Sequence, residues 1–260
     1  SSQRVMGQRV KLITLGCSKN RVDSEHLLRQ IAGAGLHAEA VTEIEEASGA
    51  DLLLINTCGF IHDAKKESVD TILEAAELKR RGEIKKIFVF GCLSQRYLQE
   101  LKDSIPEVDR YFGVFDRESI VSALGGEWNH SCSHERHITT PSHYAYLKIS
   151  EGCDRNCSYC SIPLIRGPYN SVPEDQLVRE AEYLSASGVK ELVLIAQDTT
   201  FYGKDLGGGK SLASLARRLS EIDSVKWIRI LYAYPAGFPS DLLKEIAENP
   251  KICKYLDIPL

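Results

Sequence analysis

The sequence predicts an α/β protein made of two successive runs of strand–helix units. Short apolar runs rich in branched residues alternate with amphipathic stretches of helical length. This alternation stops once, between residues 126 and 142, and then starts again. The composition agrees with a folded chain, because 43% of the 260 residues are hydrophobic and 26% are charged. We therefore expect two α/β domains joined by a linker.

The first domain is predicted over residues 8–125. A helix that follows one strand and precedes the next favours parallel pairing, since it returns the chain to the edge where the next strand begins. We therefore expect a parallel sheet covered by helices. Its predicted strands are 11–17, 50–58, 85–92 and 108–114, and its predicted helices are 22–34, 64–79, 94–102 and 117–124.

The linker is predicted over residues 126–142, where no apolar periodicity is present. Within it, Cys132, His134 and His137 form a C-x-H-x2-H pattern that has the right residue types for a metal. In a segment without regular structure, solvated side chains are the better interpretation of this pattern.

The second domain is predicted over residues 143–260 as a partial (βα) barrel. The last predicted strand reaches the final residue, Leu260, and a parallel sheet buried on both faces should not end within a strand. We therefore expect a truncated barrel, with Cys253 packed just before the last strand. The predicted strands are 144–150, 190–197, 227–234 and 255–260, and the predicted helices are 174–187, 212–222 and 240–248.

Composition narrows the location and the partners. Apolar stretches such as 52–55 and 192–196 are far shorter than the roughly 18 residues of a membrane helix. The first ten residues lack a signal-peptide core, so we expect a cytoplasmic protein with no membrane partner.

In a reducing compartment, the eight cysteines indicate metal ligands or catalytic thiols before disulfides. The net charge of −4 gives no footprint for nucleic acid and suits a basic protein partner better.

Three cysteines form a compact motif directly after the first strand of the second domain. Cys153, Cys157 and Cys160 have the spacing C-x3-C-x2-C. Zinc usually takes four protein ligands, often as two C-x2-C pairs, and the sequence has no second pair. An iron–sulfur cluster held by three cysteines keeps one iron open for a small molecule, which is a catalytic arrangement. The motif therefore favours a catalytic iron–sulfur cluster.

A second set of three cysteines follows three strands of the first domain. Cys17, Cys58 and Cys92 each lie where a predicted parallel strand ends and its helix begins. The carboxyl ends of parallel strands share one edge of a sheet, so these thiols are expected to converge. The helix N-termini around them would favour an anionic cluster. The sequence thus predicts a second site of three thiols.

These motifs resemble known families. The motif at 153–160 resembles that of the radical S-adenosylmethionine (SAM) enzymes, in which the open iron binds SAM and the reduced cluster cleaves it to a radical. The segments LGCSKNRVDSE (15–25), NTCGFIHDAKKES (56–68) and GCLSQRY (91–97) resemble the N-terminal domain of the radical SAM methylthiotransferases. That resemblance implies a flavodoxin- or Rossmann-like first domain and a TIM-like radical SAM barrel. It also implies two [4Fe-4S] clusters, SAM as cofactor and an external electron donor.

Within this family, three places resemble the ribosomal-protein branch. They are the Ser-Lys-Asn after Cys17, the stretch AQDTTFYG at 196–203, and the stretch WIRILYAYP with the later YLDIPL. The transfer-RNA branches tend to carry Gln-Met-Asn at the first place and a GQN form at the second. The resemblance implies that the substrate is an aspartate of small-subunit ribosomal protein twelve, modified at its β-carbon.

The resemblance also implies cofactor contacts. Tyr159 has the position of the aromatic residue that packs beside the adenine, Gln197 follows the second barrel strand, and Arg166 lies in the IPLIRG segment. For Arg166, a surface salt bridge is an equally good interpretation. After IPLIRG the family usually continues with a basic residue and then Ser-Arg, whereas this chain has PYNSV at 168–172. No residue is singled out as a catalytic acid or base.

Three alternatives stay open. A transfer-RNA methylthiotransferase is compatible with the same cysteines. A cluster protein that only transfers electrons would not cleave SAM. A structural zinc module would bind a metal that gives no visible absorbance.

Overall fold

The computed structural model describes residues 7–155 and 157–258. The chain divides into two compact units, with the boundary between Thr139 and Thr140. In the part of the chain that the structure describes, no helix is both long and apolar enough to cross a membrane.

The first unit is built on a five-stranded, entirely parallel sheet with the strand order β2-β1-β3-β4-β5. This is the order of a flavodoxin-like, doubly wound sheet, as the sequence predicts. Its elements are β1 (Arg9–Thr14), α1 (Ser18–Gly33), β2 (His37–Val41), β3 (Leu52–Thr57), α2 (His62–Arg80), β4 (Lys86–Gly91), α3 (Cys92–Arg96), α4 (Leu98–Ser104), β5 (Arg110–Tyr111) and α5 (Arg117–Ala123), with short 3-10 turns at Ile44–Ala47 and His130–Cys132.

Strand β3 lies at the centre of this sheet, and all six of its residues are buried. Successive side chains of a strand point to opposite faces. Leu53 and Ile55 therefore pack in the core under α2, whereas Leu52 and Leu54 pack in the core under α1 and α5. Burial on both faces explains why this strand is a continuous apolar run rather than an alternating one.

Two elements of the first unit differ from the sequence prediction. The edge strand β2 was not predicted, because its sequence, HAEAV, buries only one residue fully. The helix predicted at 94–102 is two short helices, α3 and α4. They are separated by Tyr97, whose backbone angles of φ −124° and ψ 34° interrupt the helix.

The segment 126–142, predicted as a linker, is attached to helix α1 by buried charges. The guanidinium of Arg136 lies 3.2 Å from the Glu25 carboxylate, and both side chains are almost completely excluded from solvent. Glu25 also accepts hydrogen bonds from the backbone N–H and the hydroxyl of Thr139, both at 2.8 Å. These contacts are polar, so apolar periodicity gives no sign of them.

The same segment forms a second polar link to α1. The Gln30 amide donates to Asn129 O at 2.9 Å and accepts from Asn129 N–H at 2.8 Å. Cys132 and His134 are half-buried, and His137 is exposed.

The second unit contains a three-stranded parallel sheet, β10-β9-β6, and a two-stranded antiparallel pair, β7-β8. These three parallel strands do not close a barrel within the described residues. The sheet agrees with the predicted run of βα units. The elements are β6 (Tyr144–Lys148), β7 (Ser150–Glu151), α6 (Ile162–Arg166), β8 (Asn170–Ser171), α7 (Glu174–Ala186), β9 (Glu191–Ile195), α8 (Leu212–Ser220), β10 (Trp227–Ile230) and α9 (Ser240–Glu248), with a 3-10 turn at Thr199–Phe201.

The fourth strand, predicted over 255–260, is not formed in residues 255–258, and residues 259 and 260 lie outside the described part of the chain. The segment before it forms one parallel bridge, between Ile252 and Ile228. Just after β10, Tyr232 has a left-handed backbone with a φ of 55°, which is not a strand conformation. The Asp257 carboxylate accepts from the Tyr232 N–H at 2.9 Å, and the Asp257 carbonyl accepts from the Ala233 N–H at 2.9 Å.

Replacing Glu25 by Gln should destabilise the first unit, because the buried guanidinium of Arg136 then loses the carboxylate that lies 3.2 Å away. Removing one partner of a buried ion pair costs about 3–5 kcal/mol, and we expect about 3 kcal/mol here because Gln retains a hydrogen-bond acceptor. Unfolding in urea is followed by the fluorescence of Trp128, which packs against the core of this unit, in a Trp227→Phe background.

The matched control for this prediction is Glu77→Gln. Glu77 pairs with Arg80 at 2.9 Å on α2, where both side chains are about half exposed. Exposed pairs contribute less than about 1 kcal/mol. Equal losses in the two variants would contradict the role given to Glu25.

Candidate functional site

Three turns at the carboxyl edge of the first sheet carry the three thiols predicted to converge. Cys17 precedes the first residue of α1, Cys58 follows β3, and Cys92 opens α3 directly after β4. Cys58 and Cys92 are buried, and Cys17 is half-buried. The hydroxyl of Ser68, on α2, accepts from the Cys58 N–H and donates to the Cys58 carbonyl, both at 2.9 Å, which fixes the second turn.

Glycines bring these turns into direct contact. A Cβ atom at Gly16 would lie 2.5 Å from Cys58 Cβ and 2.9 Å from Cys58 Sγ, so only glycine allows the first turn to approach the second this closely. A Cβ atom at Gly59 would lie 2.7 Å from Leu93 Cα, next to Cys92. The second turn therefore packs against the third, and the three cysteine-bearing turns form one cluster.

The second-unit thiols lie on one loop that is anchored at its start. Gly152 has a φ of 70°, and a Cβ atom there would overlap Pro168 O and lie 2.5 Å from Gly167 O. The next residue, Cys153, donates its N–H to Gly167 O at 3.1 Å. The Cys160 N–H donates to Cys157 O at 3.0 Å, which closes a turn at the far end of the motif.

An ion pair ties the middle of this loop to the strand ends of the second sheet. The Arg155 guanidinium contacts the Asp198 carboxylate at 2.9 Å and stacks over the Tyr234 ring at 3.8 Å. Asp198 is 2% exposed, and it also accepts from the Thr200 N–H at 3.0 Å and from the Thr200 hydroxyl. The loop is thus held over the carboxyl ends of β9 and β10.

A small cavity of about 130 Å³ adjoins Cys153. One of its walls is Tyr169, whose N–H donates to the Asp154 carboxylate at 2.9 Å and whose hydroxyl donates to Asp198 O at 3.1 Å. Its ring packs on Phe201 with centroids 4.8 Å apart. In the PYNSV segment, Tyr169 therefore supports the loop.

Burial raises the pKa of the Cys153 thiol. The Arg155 N–H, 3.4 Å from Cys153 Sγ, lowers this pKa, while the charges of Asp198, Cys160 and Cys157 raise it further. A free thiolate is thus disfavoured at Cys153, and a cationic partner would relieve the repulsion among the three thiols.

The chemistry of the thiols fits iron–sulfur clusters. All eight cysteines are free. Within residues 7–155 and 157–258, no three Cys, His, Asp or Glu side chains form a group suited to a single metal ion. Three cysteines that hold a cluster bind different irons, so their sulfurs do not share one ion.

The three residues predicted to contact the cofactor have different surroundings. Tyr159 is 87% exposed, and Gln197 is half-buried at the carboxyl end of β9. Arg166 forms a salt bridge, but a buried one, with Glu151 at 2.8 Å, and Glu151 in turn contacts Lys148 at 2.7 Å.

Sequence reasoning missed Arg155 and Asp198 as a pair. Arg155 lies between the first two cysteines of the C-x3-C-x2-C motif, and Asp198 lies in the AQDTTFYG stretch. The signal that could have indicated the pair was an acidic residue, Asp198, just after a strand and a basic residue, Arg155, in the cysteine loop.

Two family models match the chain. The model of the Uncharacterized protein family UPF0004 matches residues 9–113, which hold the first three cysteines. The model of the Radical SAM superfamily matches residues 147–260, which hold the second three. The second unit therefore has the domain that defines the radical SAM enzymes.

Curated relatives extend this similarity over nearly the whole chain. The chain is 51% identical, over 97% of its length, to "Ribosomal protein uS12 methylthiotransferase RimO" of Bacteroides thetaiotaomicron, and 52% identical, again over 97%, to the protein of the same name of Porphyromonas gingivalis. It spans 57% of the length of each of these relatives. By sequence, the chain is similar over nearly its whole length to proteins named as methylthiotransferases, and its second unit matches the Radical SAM superfamily.

Solved structures support the fold. The radical SAM methyltransferase TsrM from Kitasatospora setae, with cobalamin and a [4Fe-4S] cluster bound, matches 97% of this chain and 61% of its own, with a TM-score of 0.67 and 12% identity. The cobalamin-dependent radical enzyme OxsB matches 92% of this chain and 41% of its own, with a TM-score of 0.59 and 10% identity. At such identities the likeness concerns the fold alone.

Replacing Gly16 by Ala should destabilise the metal-free protein more than replacing Gly35 by Ala. Both glycines are left-handed, with φ of 85° and 82°, so both variants lose about 1 kcal/mol to backbone strain. Only at Gly16 does the new Cβ meet a neighbour, and overpacking adds roughly 1–3 kcal/mol. Urea unfolding in a chelating buffer measures both losses, and equal values would show that the first two turns are not in tight contact.

Proposed function

We propose that this chain is the cluster-binding part of a radical SAM methylthiotransferase that acts on ribosomal protein uS12 and carries two [4Fe-4S] clusters. The observation that carries the proposal is the presence of two separate groups of three free thiols, each beside the carboxyl ends of parallel strands. One group on its own would suit many cluster proteins. Two groups, in the domain order of this family, suit an enzyme that needs both a radical and a source of sulfur.

The proposal assigns each cluster to one domain. Cys17, Cys58 and Cys92 would hold the auxiliary cluster in the domain of residues 8–125. Cys153, Cys157 and Cys160 would hold the radical SAM cluster in the domain of residues 143–260. Residues 126–142 join the two domains.

The bound groups would supply the redox chemistry. An external donor would provide an electron for the cleavage of SAM to a radical. The auxiliary cluster would supply the sulfur, and a second SAM would supply the methyl group. The protein positions and shields these groups. The Arg155–Asp198 pair holds the loop that presents the radical cluster, and Gly16 and Gly59 let the turns of the auxiliary site meet. Burial of Cys58, Cys92 and Cys153 limits the access of water to these three of the six proposed ligands.

Three side chains are proposed to contact SAM. The exposed ring of Tyr159 offers a face on which the adenine can stack. Gln197 lies at the strand end, where its amide can hydrogen-bond to the cofactor. The ion pair with Glu151 would orient the guanidinium of Arg166 toward an anionic group.

The proposed target is the β-carbon of an aspartate in uS12. Its support is the ribosomal-branch motif AQDTTFYG together with the identity of about half of the residues to proteins named as uS12 methylthiotransferases. The net charge of −4 is compatible with a basic protein substrate.

The number of clusters is tested by iron and acid-labile sulfide per chain after anaerobic reconstitution. The parent should hold about eight irons, and the Cys17/Cys58/Cys92→Ala and Cys153/Cys157/Cys160→Ala triple variants about four each. The control is Cys132→Ala/Cys253→Ala, which removes two thiols outside both groups and should keep about eight. About four irons in the parent, unchanged when the first three cysteines are replaced, would remove the auxiliary cluster and with it the methylthiotransferase proposal.

The reaction is tested in two stages. The reconstituted chain with dithionite should convert SAM to 5′-deoxyadenosine, and the Cys153/Cys157/Cys160→Ala variant should not; a parent without cleavage would be an electron-transfer protein. In the second stage, this chain replaces the matching segment in the full-length relative of Bacteroides thetaiotaomicron. The chimera is incubated with uS12 or with transfer RNA, and both are then analysed by mass spectrometry. Gain of a methylthio group on a uS12 aspartate is expected, and gain on transfer RNA would assign the chain to the other branch.

A further inference from the structure

One buried side chain contacts all three cysteine-bearing turns of the first unit. Asn20 lies in the first turn of α1, three residues after Cys17, and is 0% exposed. Its amide nitrogen donates to Leu15 O at 2.9 Å, in the first turn, and to Thr57 O at 3.1 Å, immediately before Cys58. These two bonds join the carboxyl ends of β1 and β3.

The other end of the same amide faces the third turn. Its oxygen, Oδ1, accepts from the Cys92 thiol with a separation of 3.8 Å. The orientation of the amide is determined by its partners, because the reverse orientation would place Oδ1 against the two carbonyl oxygens of Leu15 and Thr57. Both amide hydrogens are therefore directed at the first two turns, and the oxygen at the third.

The backbone of Asn20 is held as firmly as its side chain. The Asn56 amide, at the end of β3, donates to Asn20 O and to the hydroxyl of Ser24, both at 2.9 Å. The first turn of α1 is thus fixed to the central strand of the sheet. An amide placed in this way sets the distances between turns.

We propose that Asn20 is the positioning residue of the auxiliary cluster site, an inference that rests on the proposed function. Its two donated bonds hold the first two cysteine-bearing turns together. A Cys92 thiolate bound to iron would have no proton to donate to Oδ1, whereas the two N–H bonds of Asn20 do not depend on that proton. Losing them would leave two buried carbonyl groups without this donor and allow the turns to move apart.

The test compares Asn20→Leu with Gln30→Met, in a Cys153/Cys157/Cys160→Ala background that isolates the auxiliary cluster. Each change replaces a buried amide of α1 with an apolar side chain of similar size. Asn20→Leu removes the two bonds that Asn20 donates and the one that it accepts from Cys92, and Gln30→Met removes two bonds. The bonds of Gln30 go to Asn129, outside the cysteine turns. Circular dichroism verifies folding, and the rate of iron release to a chelator is measured after reconstitution.

We expect Gln30→Met to release iron at the rate of the background protein and Asn20→Leu to release it at least about tenfold faster, the usual effect of losing a partner outside the metal ligands. Equal rates in the two folded variants would overturn the role of Asn20 alone. A background protein that binds no cluster would overturn the two-cluster function as well.

A second variant at Asn20 tests the proposal if Asn20→Leu does not fold. Asn20→Asp keeps the shape and the Oδ1 acceptor but removes the donor, and faster iron release is expected from it too. If neither Asn20 variant folds while Gln30→Met does, Asn20 is required by the whole unit, and the proposal that it acts on the cluster site is overturned.

Discussion

Parallel strands all point the same way, and this constraint determines where the chemistry of the first unit can lie. Each strand passes to its helix at the same edge of the sheet, so residues far apart in sequence are collected there. Cys17, Cys58 and Cys92 are separated by 41 and 34 residues, yet they occupy three turns in mutual contact. The apolar faces of β3 that build the two cores therefore also hold the thiols in place.

The two units hold three thiols by different physical means. In the first unit, the sheet fixes each cysteine separately, and contacts between turns, such as that of Gly16 with Cys58, complete the site. In the second unit, the three thiols share one short loop whose conformational entropy would oppose a defined geometry. Anchors offset this cost: Gly152 packs on residues 167–168, and Arg155 binds the buried Asp198.

Periodicity and spacing predicted the parallel α/β class, most helices and the positions of the cysteines, because these depend on local patterns. They did not predict the polar links that position the site. Asn20, Asp198 and Glu25 contact groups that are tens of residues away, and nothing in their own neighbourhood reveals such partners. The predicted strand at 255–260 was wrong for residues 255–258, where bonds go to partners far away in sequence, such as that between the Asp257 carboxylate and the Tyr232 N–H.

The charges around the cysteine loop of the second unit favour metal binding by its thiols. The guanidinium charges of Arg155 and Arg166 are balanced by the carboxylates of Asp198 and Glu151. Burial is the largest influence on the pKa of Cys153 and raises it; the Arg155 N–H lowers this pKa, and the charges of Asp198, Cys160 and Cys157 raise it further. Ligand thiols must lose their protons to bind metal, so the cationic irons of a cluster would have to supply the missing counter-charge. The loop thus provides geometry through its anchors and leaves the electrostatic balance to the group that it is proposed to hold.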